Sequence, residues 1–142
     1  MHNVGSIFRN AAAFGIKKLY LTGITASPPR KEIAKVALGA EEMVSWEAGE
    51  IKEIIKTLKS SKVRVIGLEN AVDAVEIHAL KNNLDGEEVA LVLGSEVDGI
   101  DEETLARIDG TVIIPMQEKR SLNVAVASGI AMHVLQENNL VS

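Results

Sequence analysis

Apolar positions follow two alternating rhythms along the chain. Short runs rich in β-branched and aliphatic residues, at 18–21, 63–68, 89–93 and 111–114, predict strands, and 43–46 predicts a weaker fifth. Between them Ile51, Ile54, Ile55 and Leu58 recur at i, i+3, i+4 and i+7, one apolar stripe on an otherwise charged helix. An earlier helix is predicted to begin around 3–6, with Asn3 or Ser6 as its cap, and to end at Gly15 in the left-handed position past its last turn. Its core stripe is Ile7, Ala11 and Phe14; Arg9 lies nearly opposite, beside Gly5, Ala12 and Ala13. The last helix, within 122–135, is almost wholly apolar or small, and Ser121 can cap it.

This alternation predicts an α/β fold built on a parallel open sheet flanked by helices. Residues 90–93 are apolar on both faces, which suits a central strand covered on each side. No repeat, low-complexity tract or linker interrupts residues 1–142, so a single domain is expected. The first recognisable element is a helix, whereas a doubly wound sheet normally places a strand before it. The sheet is therefore expected to lack that strand or to begin at 18–21. In parallel sheets ligands sit beyond the carboxyl ends of strands. Gly23, Gly67, Gly94 and Pro115 punctuate those ends.

The 142 residues are enough to bury a substantial core without staples. Without cysteine, disulfides, thiolate metal sites and cysteine nucleophiles are excluded. No basic-plus-apolar leader is recognisable and the run 122–135 is too short to span a bilayer, so a cytoplasmic protein with no membrane partner is expected. Four aromatic residues are too few for a base-stacking platform. The net charge of −5 hides a split. Residues 1–36 set Arg9, Lys17, Lys18, Arg30, Lys31 and Lys35 against Glu32 alone, whereas the remainder carries nine cations and nineteen carboxylates. A basic end on an acidic body suits a polyanion at one face; it also reads as solvated helix surface.

Three segments carry candidate chemistry. In residues 3–15 the planar fork of Arg9 suits bidentate grip on phosphate or carboxylate, although a solvated arginine fits the same position. In residues 91–100 Gly94 lets the backbone approach a ligand and Glu96 supplies a carboxylate, while Asp98 followed by Gly99 is also ordinary turn chemistry. Neither a P-loop nor a G-x-G-x-x-G is present. In residues 113–130 Asn123 requires hydrogen-bond partners if buried, since an unsatisfied amide costs about 1–3 kcal/mol. His133 reads as a core or interface histidine. Neither it nor His2 or His78 has metal-site spacing, so no metal is expected.

Taken in order, these segments resemble the SpoU (TrmH) family of RNA ribose 2′-O-methyltransferases. The pattern N-x-G-x-x-x-R-x-A-x-x-F-G matches residues 3–15, L-V-x-G-x-E-x-x-G matches 91–99, and I-P-M followed by S-L-N-V-x-V-A matches 114–127. The resemblance implies a sheet whose C-terminal segment forms a trefoil knot, S-adenosylmethionine (AdoMet) as cofactor, a structured tRNA or rRNA as substrate, and a homodimer. It places Gly94, Ile114, Leu122 and, more loosely, Leu68 at the cofactor. Asn3, Arg9, Glu96, Ser121 and Asn123 fall at polar catalytic positions, with Lys17, Lys18, Arg30, Lys31 and Lys35 joining Arg9 on the RNA. Arg9 matches the arginine associated with the ribose hydroxyl; because a guanidinium stays protonated, phosphate grip and orientation are the expected role. Two features depart from the pattern: residues 117–120 contain no glycine, and no leading strand is read ahead of Asn3, so that either the true start lies upstream or the sheet is smaller. They leave a non-catalytic, knotted AdoMet- or RNA-binding dimer as the alternative.

Overall fold

The computed structural model describes residues 2–22, 38–69, 73–84, 86–94, 99–116 and 123–136. Helix α1 (His2–Ala13) leads into β1 (Lys18–Thr22). A 3₁₀ turn (Ala40–Glu42) precedes β2 (Ser45–Gly49), α2 (Ile51–Ser60) and β3 (Arg64–Leu68). Then come β4 (Val75–Glu76), α3 (Ile77–Asn82), β5 (Val89–Leu93), α4 (Glu102–Arg107), β6 (Gly110–Ile113) and α5 (Val124–Gln136). Every described strand pair is parallel.

The strands form two ladders. One holds β1 and β2, and the other runs β4-β6-β3-β5. This corrects the expectation of a central 90–93: β5 is the edge of the four-stranded ladder, and all five of its side chains are only half-buried. Its apolar composition is that of a covered strand, but among the described residues only β3 pairs with it. The weak strand expected at 43–46 forms two residues later, leaving Met43 78% exposed. The two-residue β4 escaped the pattern because it is too short to show alternation.

Helix α1 starts at His2, so Asn3 and Ser6 lie within it and do not cap it. Its far end agrees with the sequence. Gly15 has φ 68°, and the Ile16 N–H donates to the Ala11 carbonyl at 2.9 Å, closing a Schellman turn. Phe8, absent from the expected stripe, is fully buried with Ala11, while Ile7 and Phe14 pack at the margin. Gly5 is buried too, so part of the space beside Arg9 is covered by the chain's own core. Helix α2 buries Ile55 and half-buries Ile51, Ile54 and Leu58 as its spacing requires.

Two apolar clusters result. Phe8, Ala11, Leu21, Ala40, Val44 and Met132 form one; Ile66, Ile77, Leu80, Val112, Ala131 and Val134 form the other. Helix α5 contributes to both. On the other face of β3, Gly67 makes room for Ile100 and Ile108, because a Cβ there would stand 2.8 Å from the Cδ1 of each.

Asp101 caps α4 by accepting the Thr104 N–H at 2.8 Å, and hydrogen bonding from the Thr104 side chain, with this backbone bond second, holds its carboxyl below the ordinary aspartate range. A lowered folded pKa stabilises the protein above the unfolded value and is lost as pH falls through the folded one. Thermal melts should therefore show D101A below wild type at pH 7, with the gap closing below about pH 4.

Candidate active site

The carboxyl ends of three adjacent strands meet at one edge of the four-stranded ladder. Leu68 stands opposite Leu93 on β5 and Val112 on β6. Gly94 follows Leu93 directly and Ile114 stands two residues past Val112, just beyond the end of β6, so Leu68, Gly94 and Ile114 lie at neighbouring strand ends. Leu68, Leu93 and Ile114 are apolar yet only half-buried, which leaves apolar surface for a ligand to cover.

The reason for Gly94 differs from the expected one. A Cβ there would lie 2.2 Å from the Gly99 carbonyl carbon and 2.5 Å from the Ile100 nitrogen. The glycine makes room for the chain's own return, and any ligand contact must come from its backbone groups. Gly99, at φ 68°, is required by the turn.

A second convergence joins α1 to the start of α5. The Asn10 amide donates to the Ala125 carbonyl at 2.9 Å and to Ser128 Oγ at 3.3 Å; Ser128 Oγ donates to the same carbonyl at 2.8 Å. Gly129 admits the amide, since a Cβ there would sit 3.1 Å from Asn10 Nδ2. Asn123 then caps α5, its Oδ1 accepting the Ala125 N–H at 2.8 Å. It is an exposed helix cap, and the expectation of a buried amide is set aside. This lacing brings the helix that carries Arg9 to the turn that begins with Asn123. Arg9 itself is exposed, adjacent to Asn10 in sequence.

Asn3 lies in the first turn of α1, and its side chain is outside the described set. Glu96, Ser121, Leu122, Arg30, Lys31 and Lys35, along with Gly23, lie outside the described residues. Lys18 pairs with Glu47 at 3.0 Å, which raises its pKa, and stands 5.1 Å from the Tyr20 ring centroid; Lys17 reaches Glu88 at 3.6 Å. Exposed pairs of this kind are weak and leave both cations available to a stronger anion. His133 is exposed, its ring 5.5 Å from that of Phe14, so a core role is corrected. Among the described residues no group of three or more His, Asp or Glu is placed to hold a metal.

A cleft of about 720 Å³ opens at the opposite end of the sheet, near Lys59, Arg64, Asp109 and Thr111. Two of its cations are answered locally, Arg64 by Glu87 at 2.9 Å and Lys59 by Asp109 at 3.6 Å. It lies on the side away from the glycine-bearing loops.

The model of the SpoU rRNA methylase family matches residues 1–133. The chain belongs to that family. It is 33% identical over 138 residues to a 23S rRNA (guanosine-2′-O-)-methyltransferase RlmB of Coxiella burnetii, covering 95% of this chain and 53% of the relative. The chain thus spans about half the length of the curated relatives it matches. Among solved structures, the AdoMet-bound rRNA methyltransferase from Sinorhizobium meliloti superposes with a TM-score of 0.86 at 24% identity, over 99% of this chain and 53% of that one. The A. aeolicus TrmH/SpoU tRNA modifying enzyme gives 0.82 at 23%, over 97% and 69%. Both likenesses establish the fold.

Within this SpoU fold the sequence motifs left out Asn10 as a functional position, although it is the polar residue on the flank of α1 that meets α5. Its spacing from Ile7 and Phe14, three before and four after, was the available signal. Replacing it tests the lacing. N10A should lower the thermal midpoint by a few degrees, about 1–2 kcal/mol for the lost hydrogen bonds. N10D should melt lower still at pH 7, because a carboxylate would face the Ala125 carbonyl; an N10D midpoint equal to wild type would contradict this geometry.

Proposed function

We propose that residues 1–142 form a single SpoU-type catalytic domain that methylates a ribose 2′-hydroxyl of a structured ribosomal or transfer RNA in the cytoplasm, with AdoMet as donor. The observation that carries this reading is the convergence of Leu68, Gly94 and Ile114 at one sheet edge, with apolar side chains left half-covered. That edge fits the cofactor's chemistry: apolar surface for the adenine and methionine portions, and backbone groups beside a glycine for its polar atoms. The names of the relatives, one acting on guanosine in 23S rRNA and another bound to AdoMet, support the same assignment.

When bound, AdoMet supplies an electrophilic methyl group on a sulfonium. The chain's task is to exclude water and to hold an acceptor hydroxyl in line with that methyl. Leu68 and Ile114 provide the apolar walls, Gly94 the backbone contact, and Leu122 a further wall. Arg9 cannot take the hydroxyl proton, because its guanidinium stays charged. Exposed on α1, it grips an RNA phosphate through paired N–H donors and thereby orients the ribose. The lacing through Asn10 holds Arg9 in register with Asn123; Asn3, Glu96 and Ser121 complete the polar set. Lys17 and Lys18, with Arg30, Lys31 and Lys35, extend the phosphate contact. The finer fold in this reading is a trefoil knot formed by the C-terminal segment.

Tritium transfer from labelled AdoMet to transcripts of 23S rRNA and tRNA tests the reaction. R9K should raise the KM for RNA about tenfold while kcat stays within about threefold. A collapse of kcat at unchanged KM would remove the phosphate role. AdoMet binding without any transfer would favour the non-catalytic alternative.

A second copy completes the proposal. Val126 and Ile130, one turn apart on α5, are 52% and 39% exposed on a helix otherwise committed to two cores. Light scattering at micromolar concentration should give twice the chain mass, and V126E/I130E should give the single mass. A monomeric wild type would contradict the dimer.

A further inference from the structure

Glu69 has no part in the mechanism above, yet it is placed where the chain's path beside Gly94 is decided. Its backbone N–H donates to the Val112 carbonyl at 3.1 Å, extending the β3–β6 ladder by one step and fixing where its side chain begins. The carboxylate reaches across 31 residues and accepts the Ile100 N–H at 2.7 Å. Its two oxygens lie 2.7 and 3.0 Å from the point where a Cβ on Gly99 would stand. The same peptide, joining Gly99 to Ile100, occupies the space that a side chain on Gly94 would need. Ile100 is further anchored through its side chain, which fills the space over Gly67 on the same strand. Backbone and side chain of Ile100 are thus both tied to the end of β3.

We propose that Glu69 is a positioning residue for AdoMet binding: its carboxylate holds the peptide joining Gly99 to Ile100 against Gly94, and so sets the backbone that meets the cofactor. This rests on the assignment of an AdoMet site at the strand ends. What matters is an acceptor oxygen at glutamate's reach. Charge is secondary, so glutamine suffices, whereas alanine removes the acceptor and aspartate falls one methylene short.

The test uses the whole chain, with S-adenosylhomocysteine as the calorimetric probe and a thermal melt of every variant. Wild type should bind, E69A should bind about tenfold more weakly while still melting cooperatively, and E69Q should stay within about threefold of wild type. E69D, which keeps the charge, should lose affinity where E69Q does not, and it carries the test if E69A fails to fold. Affinity in E69A or E69D equal to wild type would overturn the proposal. So would a folded E69Q as weak as E69A, which would point to direct charge recognition. A cooperatively melting wild type that does not bind the probe would instead overturn the AdoMet assignment itself.

Discussion

Everything described here depends on burying α5 on two sides at once. Met132 enters the cluster around Phe8 and Leu21, whereas Ala131 and Val134, less than a turn away, enter the cluster around Ile66 and Val112. Burial on two sides leaves only the stripe Val126, Ile130 and His133 exposed, and it accounts for the apolar and small residues on the rest of the helix. Small residues do the rest. Ser128 is fully buried and Gly129 leaves room for the Asn10 amide, so α1 can approach closely enough for hydrogen bonds between side chain and backbone. Removing a partner from such a buried set costs more than the net worth of the bond, because the remaining groups lose water without replacement.

The two halves of the candidate site follow from that constraint in different ways. The polar half is held by side-chain hydrogen bonds between helices, with Asn10 and Asn123 meeting at Ala125 from opposite directions. The cofactor half is held by the absence of side chains. Gly94 and Gly99 let two stretches of backbone touch, and Gly67 lets Ile100 and Ile108 seat over β3. Substitution at these glycines is a packing error before it is a functional one, which is a physical reason for glycine at each place.

Much of this was legible in the sequence. The stripe Ile51, Ile54, Ile55 and Leu58 specified α2, and Gly15 marked the end of α1, because both depend on local geometry alone. Gly94 was marked by the rule that parallel strands present their carboxyl ends to ligands, whereas Leu68 and Ile114 were named only through the resemblance to the SpoU family. The errors came from tertiary context. Apolar residues 90–93 looked central, but burial on both faces says nothing about which edge finds a partner. Phe8 was overlooked because α1 is covered on more than one side, so a single stripe understates its core. Asn123 was read as an interior amide because its neighbours are apolar, although a helix start two residues later than a Ser121 cap implies makes it the cap. Glu69 was passed over because attention went to glycines at strand ends and not to the carboxylate beside them.

The division of the strands into two ladders has a colloidal consequence. Along β5 the side away from β3 presents peptide groups that no described strand satisfies, on a segment whose side chains are all aliphatic. Unprotected, such a border invites sideways accretion of other chains. Lys17 and Glu88, whose charges meet at 3.6 Å just ahead of β1 and β5, put two hydrated groups at the entrance to this border. Being of opposite sign they leave no net charge there, so what they add to that end of β5 is hydration and not repulsion.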